Sequence, residues 1–89
     1  MKIRKHLIFT GRVQGVGFRY TAFAASSRLG LTGWVANRLD GRVEMEVQGA
    51  EEDIQLLIRQ LGGGPLIRIE DMEEEKLPLK LERKFRIYN

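Results

Sequence analysis

Leu31-Thr32-Gly33-Trp34-Val35-Ala36-Asn37, followed by Arg38-Leu39-Asp40-Gly41 and then Arg42-Val43-Glu44-Met45-Glu46-Val47-Gln48, reads as two strands joined by a turn. The Asp40-Gly41 pair carries the turn signal, because glycine accepts the positive φ angles that tight hairpins demand. In the second run Val43, Met45 and Val47 share one face while Arg42, Glu44, Glu46 and Gln48 share the other. Strict alternation of this kind predicts a strand that packs on one side and meets water on the other. What flanks the hairpin decides the fold.

Towards the N-terminus, Gly30 stands where a left-handed helix cap is expected, and Phe18, Ala22, Ala25 and Leu29 recur at helical spacing before it. This predicts a helix over about residues 19–29. Upstream, the segment from Gly11 to Gly17 carries Gly11, Gly15 and Gly17, which predicts a loop free to use positive φ. Ile3 to Thr10 reads as a first strand, with Ile3, Leu7 and Phe9 on one parity and Arg4, His6 and Thr10 on the other; Lys5 interrupts the apolar set.

Towards the C-terminus, Glu51, Glu52 and Asp53 suit the positive end of a helix dipole, although Gly49-Ala50 offers no capping side chain. Ile54, Leu57, Ile58 and Leu61 form the apolar stripe, and Gly62-Gly63-Gly64-Pro65 stops the helix. Leu66 to Glu74 reads as a strand whose alternation slips between Ile69 and Met72, the mark of a bulge. Lys76 to Lys84 reads as a loop and Phe85 to Tyr88 as a short last strand. The order is β-α-β-β-α-β with an extra C-terminal strand, which predicts an α+β ferredoxin-like sandwich: an antiparallel sheet with two helices on one face. In that topology the first two strands run parallel with the third between them, so the glycine loop and Asn37 meet at one sheet edge.

Length and composition bound the remainder. Eighty-nine residues hold one domain, residues 1–89, and with no cysteine and a 43% hydrophobic fraction the chain depends on one core. The net charge of +3 is too small to imply a polyanion partner, but a small anion suits it. Thr10-Gly11-Arg12 cuts the opening apolar run short, so neither an export signal nor a membrane span is expected, and the cytoplasm is the expected location. Small size favours a monomer.

The stretch Gly11-Arg12-Val13-Gln14-Gly15-Val16-Gly17-Phe18-Arg19 joins a strand to a helix start. Unpaired main-chain N–H groups and the helix dipole make such a junction suited to anions, and Gly15 and Gly17 let the backbone curl into a nest for phosphate oxygens. Arg19 adds a planar fork in the first turn. A tight strand-to-helix connection remains the competing reading, since Tyr20 stands where a dinucleotide fingerprint wants glycine and no Walker Lys-Ser/Thr pair follows. Asn37 is the second candidate: its carboxamide can orient a water, or can simply support the hairpin entrance.

The same residues, together with Gly33-Trp34-Val35-Ala36-Asn37, Asp40-Gly41-Arg42-Val43 and Gly49, resemble the two signatures of the acylphosphatases, and the resemblance extends over the whole chain. Phe9 and Ala50 depart from the residues usual at their positions. The resemblance implies a small ferredoxin-like enzyme that hydrolyses acyl phosphates to a carboxylate and inorganic phosphate, with no metal, no cofactor and no covalent enzyme intermediate. It implies that Arg19 and the main-chain amides of Gln14, Gly15, Val16, Gly17 and Phe18 bind the phosphate, and that Asn37 positions the attacking water. Inorganic phosphate or sulfate is then an expected ligand, with no nucleic-acid or membrane partner.

Other candidates read as ordinary structure. His6 sits on a strand and is given no role, and the acidic run Glu70, Asp71, Glu73, Glu74 and Glu75 lacks the spacing and glycine of a metal loop. Trp34 and Phe18 read as packing residues; Arg12, Arg38 and Arg42 are expected to draw anions or to solubilise. Two rival functions share the topology: an RNA-recognition module, which the acids Glu44 and Glu46 disfavour, and an effector module that holds an anion without catalysis.

Overall fold

The computed structural model describes residues 1–89. Five strands and two helices follow one another as β1 (Lys2–Arg12), α1 (Phe18–Leu29), β2 (Thr32–Asn37), β3 (Val43–Ala50), α2 (Glu51–Gly62), β4 (Arg68–Leu77) and β5 (Phe85–Tyr88). They form one sheet in the order β4-β1-β3-β2-β5, antiparallel except for the β2–β5 pair. Because β3 lies antiparallel between β1 and β2, the ends of β1 and β2 emerge at the same edge, as the split topology requires.

The predicted apolar parities all turn to one face. Leu7 and Phe9 of β1, Val35 of β2 and Val43, Met45 and Val47 of β3 pack with Phe18, Ala22 and Ala25 of α1 and Ile54, Leu57 and Leu61 of α2. Lys5 falls on this face too; it is buried, and its Nζ reaches the rim to meet Glu74 Oε1 at 2.8 Å. Helix α1 ends on Gly30 at φ 72°, whose N–H is donated to the carbonyls of Ser26 and Ser27. Helix α2 has no side-chain cap at Ala50; the Met1 carbonyl instead accepts from Glu51 N–H at 3.3 Å.

The Asp40-Gly41 turn signal falls inside a three-residue loop: Arg38 N–H bonds the Arg42 carbonyl at 2.8 Å around Leu39-Asp40-Gly41, with Gly41 at φ 91°. Two details depart from the sequence reading. Strand β4 starts later, at Arg68, and runs on to Leu77, because its main-chain ladder with β1 continues to the Arg4–Leu77 pair irrespective of the charges it carries. The slip in its alternation is a bulge: Thr10 faces Asp71 while Gly11 faces Ile69, leaving Glu70 as the extra residue.

The second departure concerns the face without helices. Sequence alternation places Arg4 and Gln48 in water, yet Arg4 is 0% exposed and Gln48 4%. The segment 78–84 covers that end of the sheet, with Lys80 exchanging hydrogen bonds with the Gln48 carboxamide at 2.8 and 2.9 Å and Glu82 Oε1 accepting from Arg4 Nη1 at 2.7 Å. Glu46 completes the enclosure of Arg4, with Oε1 at 2.8 Å from Nε. A guanidinium with five donors can be buried only when acids and amides surround it in this way.

Candidate active site

The loop between β1 and α1 is pinned at both ends by apolar side chains. Val13 and Phe18 are buried and Val16 packs against the core, while the Phe9 and Phe18 rings meet at a centroid distance of 4.9 Å. This leaves Gly15 and Gly17 exposed at the surface with φ 73° and 81°. No atom comes within 4 Å of where a Cβ would lie on either. Glycine is therefore set here by backbone conformation, not by crowding, and side chains are kept away from the curl of the loop. Gly17 is also the residue that precedes α1, so the first free N–H groups of the helix open beside it.

Arg19 sits in the first turn of α1 and Asn37 ends β2. Their meeting point is made by β5. Its parallel register sets Tyr88 opposite Ala36, which brings the following Asn89 alongside Asn37. The Asn89 carboxamide pairs with the Asn37 main chain, accepting from its N–H at 3.0 Å and donating to its carbonyl at 3.1 Å. The Asn89 main-chain carbonyl accepts a hydrogen bond from Arg19 Nη1. One residue thus touches both candidates, and the glycine loop, the guanidinium and Asn37 lie at a single edge of the sheet.

Within that edge the Asn37 side-chain oxygen is buried and has no hydrogen-bond partner in the protein. A buried acceptor without a partner is an unmet hydrogen-bonding capacity at this edge. Gln14, whose main-chain amide belongs to the loop, sends its side chain away from it: Nε2 donates to the carbonyls of Arg38 at 2.8 Å and Arg42 at 2.9 Å. Sequence reasoning missed both this bridge and Asn89. No local pattern announces either, since each depends on which segments the sheet brings together.

The charged residues of the hairpin are engaged with one another. Asp40 accepts from the Arg42 guanidinium at 2.8 Å and from the Arg42 main-chain N–H at 3.0 Å, and Arg38 also approaches it at 3.1 Å. These contacts, chiefly those from Arg42, hold the Asp40 carboxyl well below the usual carboxylate range. His6 Nε2 lies 2.6 Å from Glu44 Oε2 on the open face, far from the loop in the β1 register. Trp34 is half-buried on that same face and packs on Tyr88, with ring centroids 6.0 Å apart, rather than in the core. No cluster of His, Cys, Asp or Glu side chains is arranged to hold a metal ion, and no helix is long and apolar enough to cross a membrane.

The family model and the curated relatives share one description. The family model for acylphosphatase matches residues 5–87. A protein of Bifidobacterium longum named acylphosphatase is 52% identical over 63 residues, 71% of this chain and 65% of that protein, so the chain spans just under two thirds of that relative's length. An acylphosphatase of Caldanaerobacter subterraneus is 43% identical over 90 residues, covering 99% of this chain and 100% of the relative. The crystal structure of acylphosphatase from Bacillus subtilis superposes with a TM-score of 0.91 at 35% identity, over 98% of this chain and 99% of that one.

Proposed function

The chain belongs to the acylphosphatase family, and from that premise we propose that it is a hydrolase that cleaves the carboxyl–phosphate bond of acyl phosphates. The observation that carries this reading is the meeting of an open, glycine-curled helix start, tied by Gln14 to the hairpin neck, with Asn37, whose buried side-chain oxygen has no partner in the protein. An anion cradle and a carboxamide able to aim water are what such a reaction requires.

In this reading the main-chain N–H groups from Gln14 to Phe18 and the guanidinium of Arg19 hold the phosphoryl oxygens. Asn37 accepts a hydrogen bond from a water and directs its oxygen at phosphorus. The water oxygen forms the new P–O bond as the bond to the acyl oxygen breaks, the bonding electrons leave with the carboxylate, and the water's proton passes to a phosphate oxygen. A carboxylate is a good leaving group and the transition state of phosphoryl transfer is loose, so positioning and charge stabilisation suffice without a strong acid or base. Neither a metal nor a covalent intermediate enters this path. The product, inorganic phosphate, and its analogue sulfate are the expected competitive ligands.

Incubation with benzoyl phosphate in the presence of EDTA tests the proposal. Phosphate release by the parent protein, unaffected by the chelator and lost in Arg19→Ala, is the expected result. Absence of release, with phosphate still bound, would reassign the site to an effector module.

A further inference from the structure

The Gln14 side chain spans the two halves of the site. It leaves the loop that follows β1 and ends on the hairpin between β2 and β3, using both protons of its carboxamide nitrogen on carbonyls 24 and 28 residues away. Those carbonyls are not arbitrary. Arg38 and Arg42 form the neck of the hairpin, where Arg38 N–H also bonds the Arg42 carbonyl at 2.8 Å and Gly41 N–H bonds the Arg38 carbonyl at 3.3 Å. Each carbonyl therefore accepts twice, once within the hairpin and once from Gln14, which is the full capacity of its two lone pairs. Arg38 is the residue next to Asn37.

We propose that the Gln14 carboxamide is a positioning residue, a strut that fixes the distance between the phosphate cradle and the water-directing Asn37. The inference rests on the acylphosphatase reading above and deepens it. The Gln14 main chain belongs to the glycine loop while its side chain holds the hairpin, so one residue links both sides of the site. With the strut removed, the cradle keeps its amides and Arg19, and phosphate binding persists. Asn37 loses its fixed station relative to the bound phosphorus, and misplacement by about 1 Å can cost roughly 100-fold in rate. The signature is thus a fall in kcat without a matching change in affinity.

Gln14→Met keeps the length and removes both donors. Its expected phenotype is a kcat about 10–100-fold lower on benzoyl phosphate, with KM and the inhibition constant of inorganic phosphate within about threefold of the parent. Gln14→Glu places a carboxylate before two carbonyls, and its kcat is expected to recover partly as the pH falls and an O–H donor returns, a dependence absent from Gln14→Met. Should either variant fail to fold, the parent itself supplies the test by NMR: the Gln14 side-chain NH2 protons should show cross-peaks to the hairpin neck and slowed solvent exchange. A Gln14→Met kcat within twofold of the parent, phosphate affinity falling in step with kcat, or a freely exchanging Gln14 amide would each overturn the strut while leaving the function of the site intact. A parent protein inactive on benzoyl phosphate would overturn both.

Discussion

In the proposed mechanism Arg19 supplies charge and Asn37 supplies aim, and their variants should therefore fail differently. Removing one preorganised donor to a developing charge typically costs about 10²–10³ in turnover. Arg19→Ala is expected to lose at least that much and to weaken inorganic phosphate as a competitive inhibitor, because its guanidinium faces substrate and product alike. Asn37→Ala should slow kcat while leaving phosphate inhibition close to the parent's; activity within twofold of the parent would remove Asn37 from the mechanism. Arg19 Nη1 also contacts the Asn89 main-chain oxygen, and in the proposed mechanism the remaining guanidinium donors face the phosphoryl group.

The hairpin between β2 and β3 holds the contact whose contribution to stability depends on protonation. Asp40 gathers the Arg42 guanidinium, the Arg42 main-chain N–H and Arg38 into a three-residue loop. Its carboxyl titrates below the usual carboxylate range in the folded protein, so the unfolded chain binds more protons over the window between the two values. Stability from this contact is complete above the pH at which a free aspartate titrates, and it is lost as pH falls through the depressed value. Asp40→Asn should flatten the acid side of the stability curve, seen as a smaller drop in urea midpoint between mildly acidic and strongly acidic solution. An unchanged slope would mean that solvent screens the exposed contact completely.

At the scale of the molecule, the two faces of the sheet are closed by different means. Both helices cover one face with apolar side chains, whereas segment 78–84 closes the end of the other over Arg4, Glu46 and Gln48, itself supplying Glu82. Arg4 remains charged there: burial opposes its charge, but the hydrogen bonds it donates to Glu82 and Glu46 outweigh that penalty and raise its pKa. Arg4→Ala leaves two carboxylates facing a void. Breaking a buried ion pair in this manner costs about 3–5 kcal/mol, and since Glu46 and Glu82 retain some access to water the loss should fall near the lower end, about 3 kcal/mol by urea denaturation. A loss below about 1 kcal/mol would show that segment 78–84 holds its place without Arg4. The same segment leads directly into β5, so its docking also bears on where Asn89 comes to rest.

Alternation in β3, helical spacing before Gly30 and after Glu51, and the glycines between β1 and α1 were all readable one residue at a time, since they express local backbone preference and the burial of one face. They carried the element order, the parallel relation of β1 to β2, and Arg19 and Asn37 as the residues to examine. Beyond their reach lay the burial of Arg4, the extension of β4 to Leu77, the bridge from Gln14 to the hairpin neck and the arrival of Asn89 between the two candidates. Each of these joins segments far apart in the chain through hydrogen bonds that have no periodicity. Only once the hydrophobic face had brought the strands into register could those donors and acceptors find one another, and so only the tertiary structure could decide them.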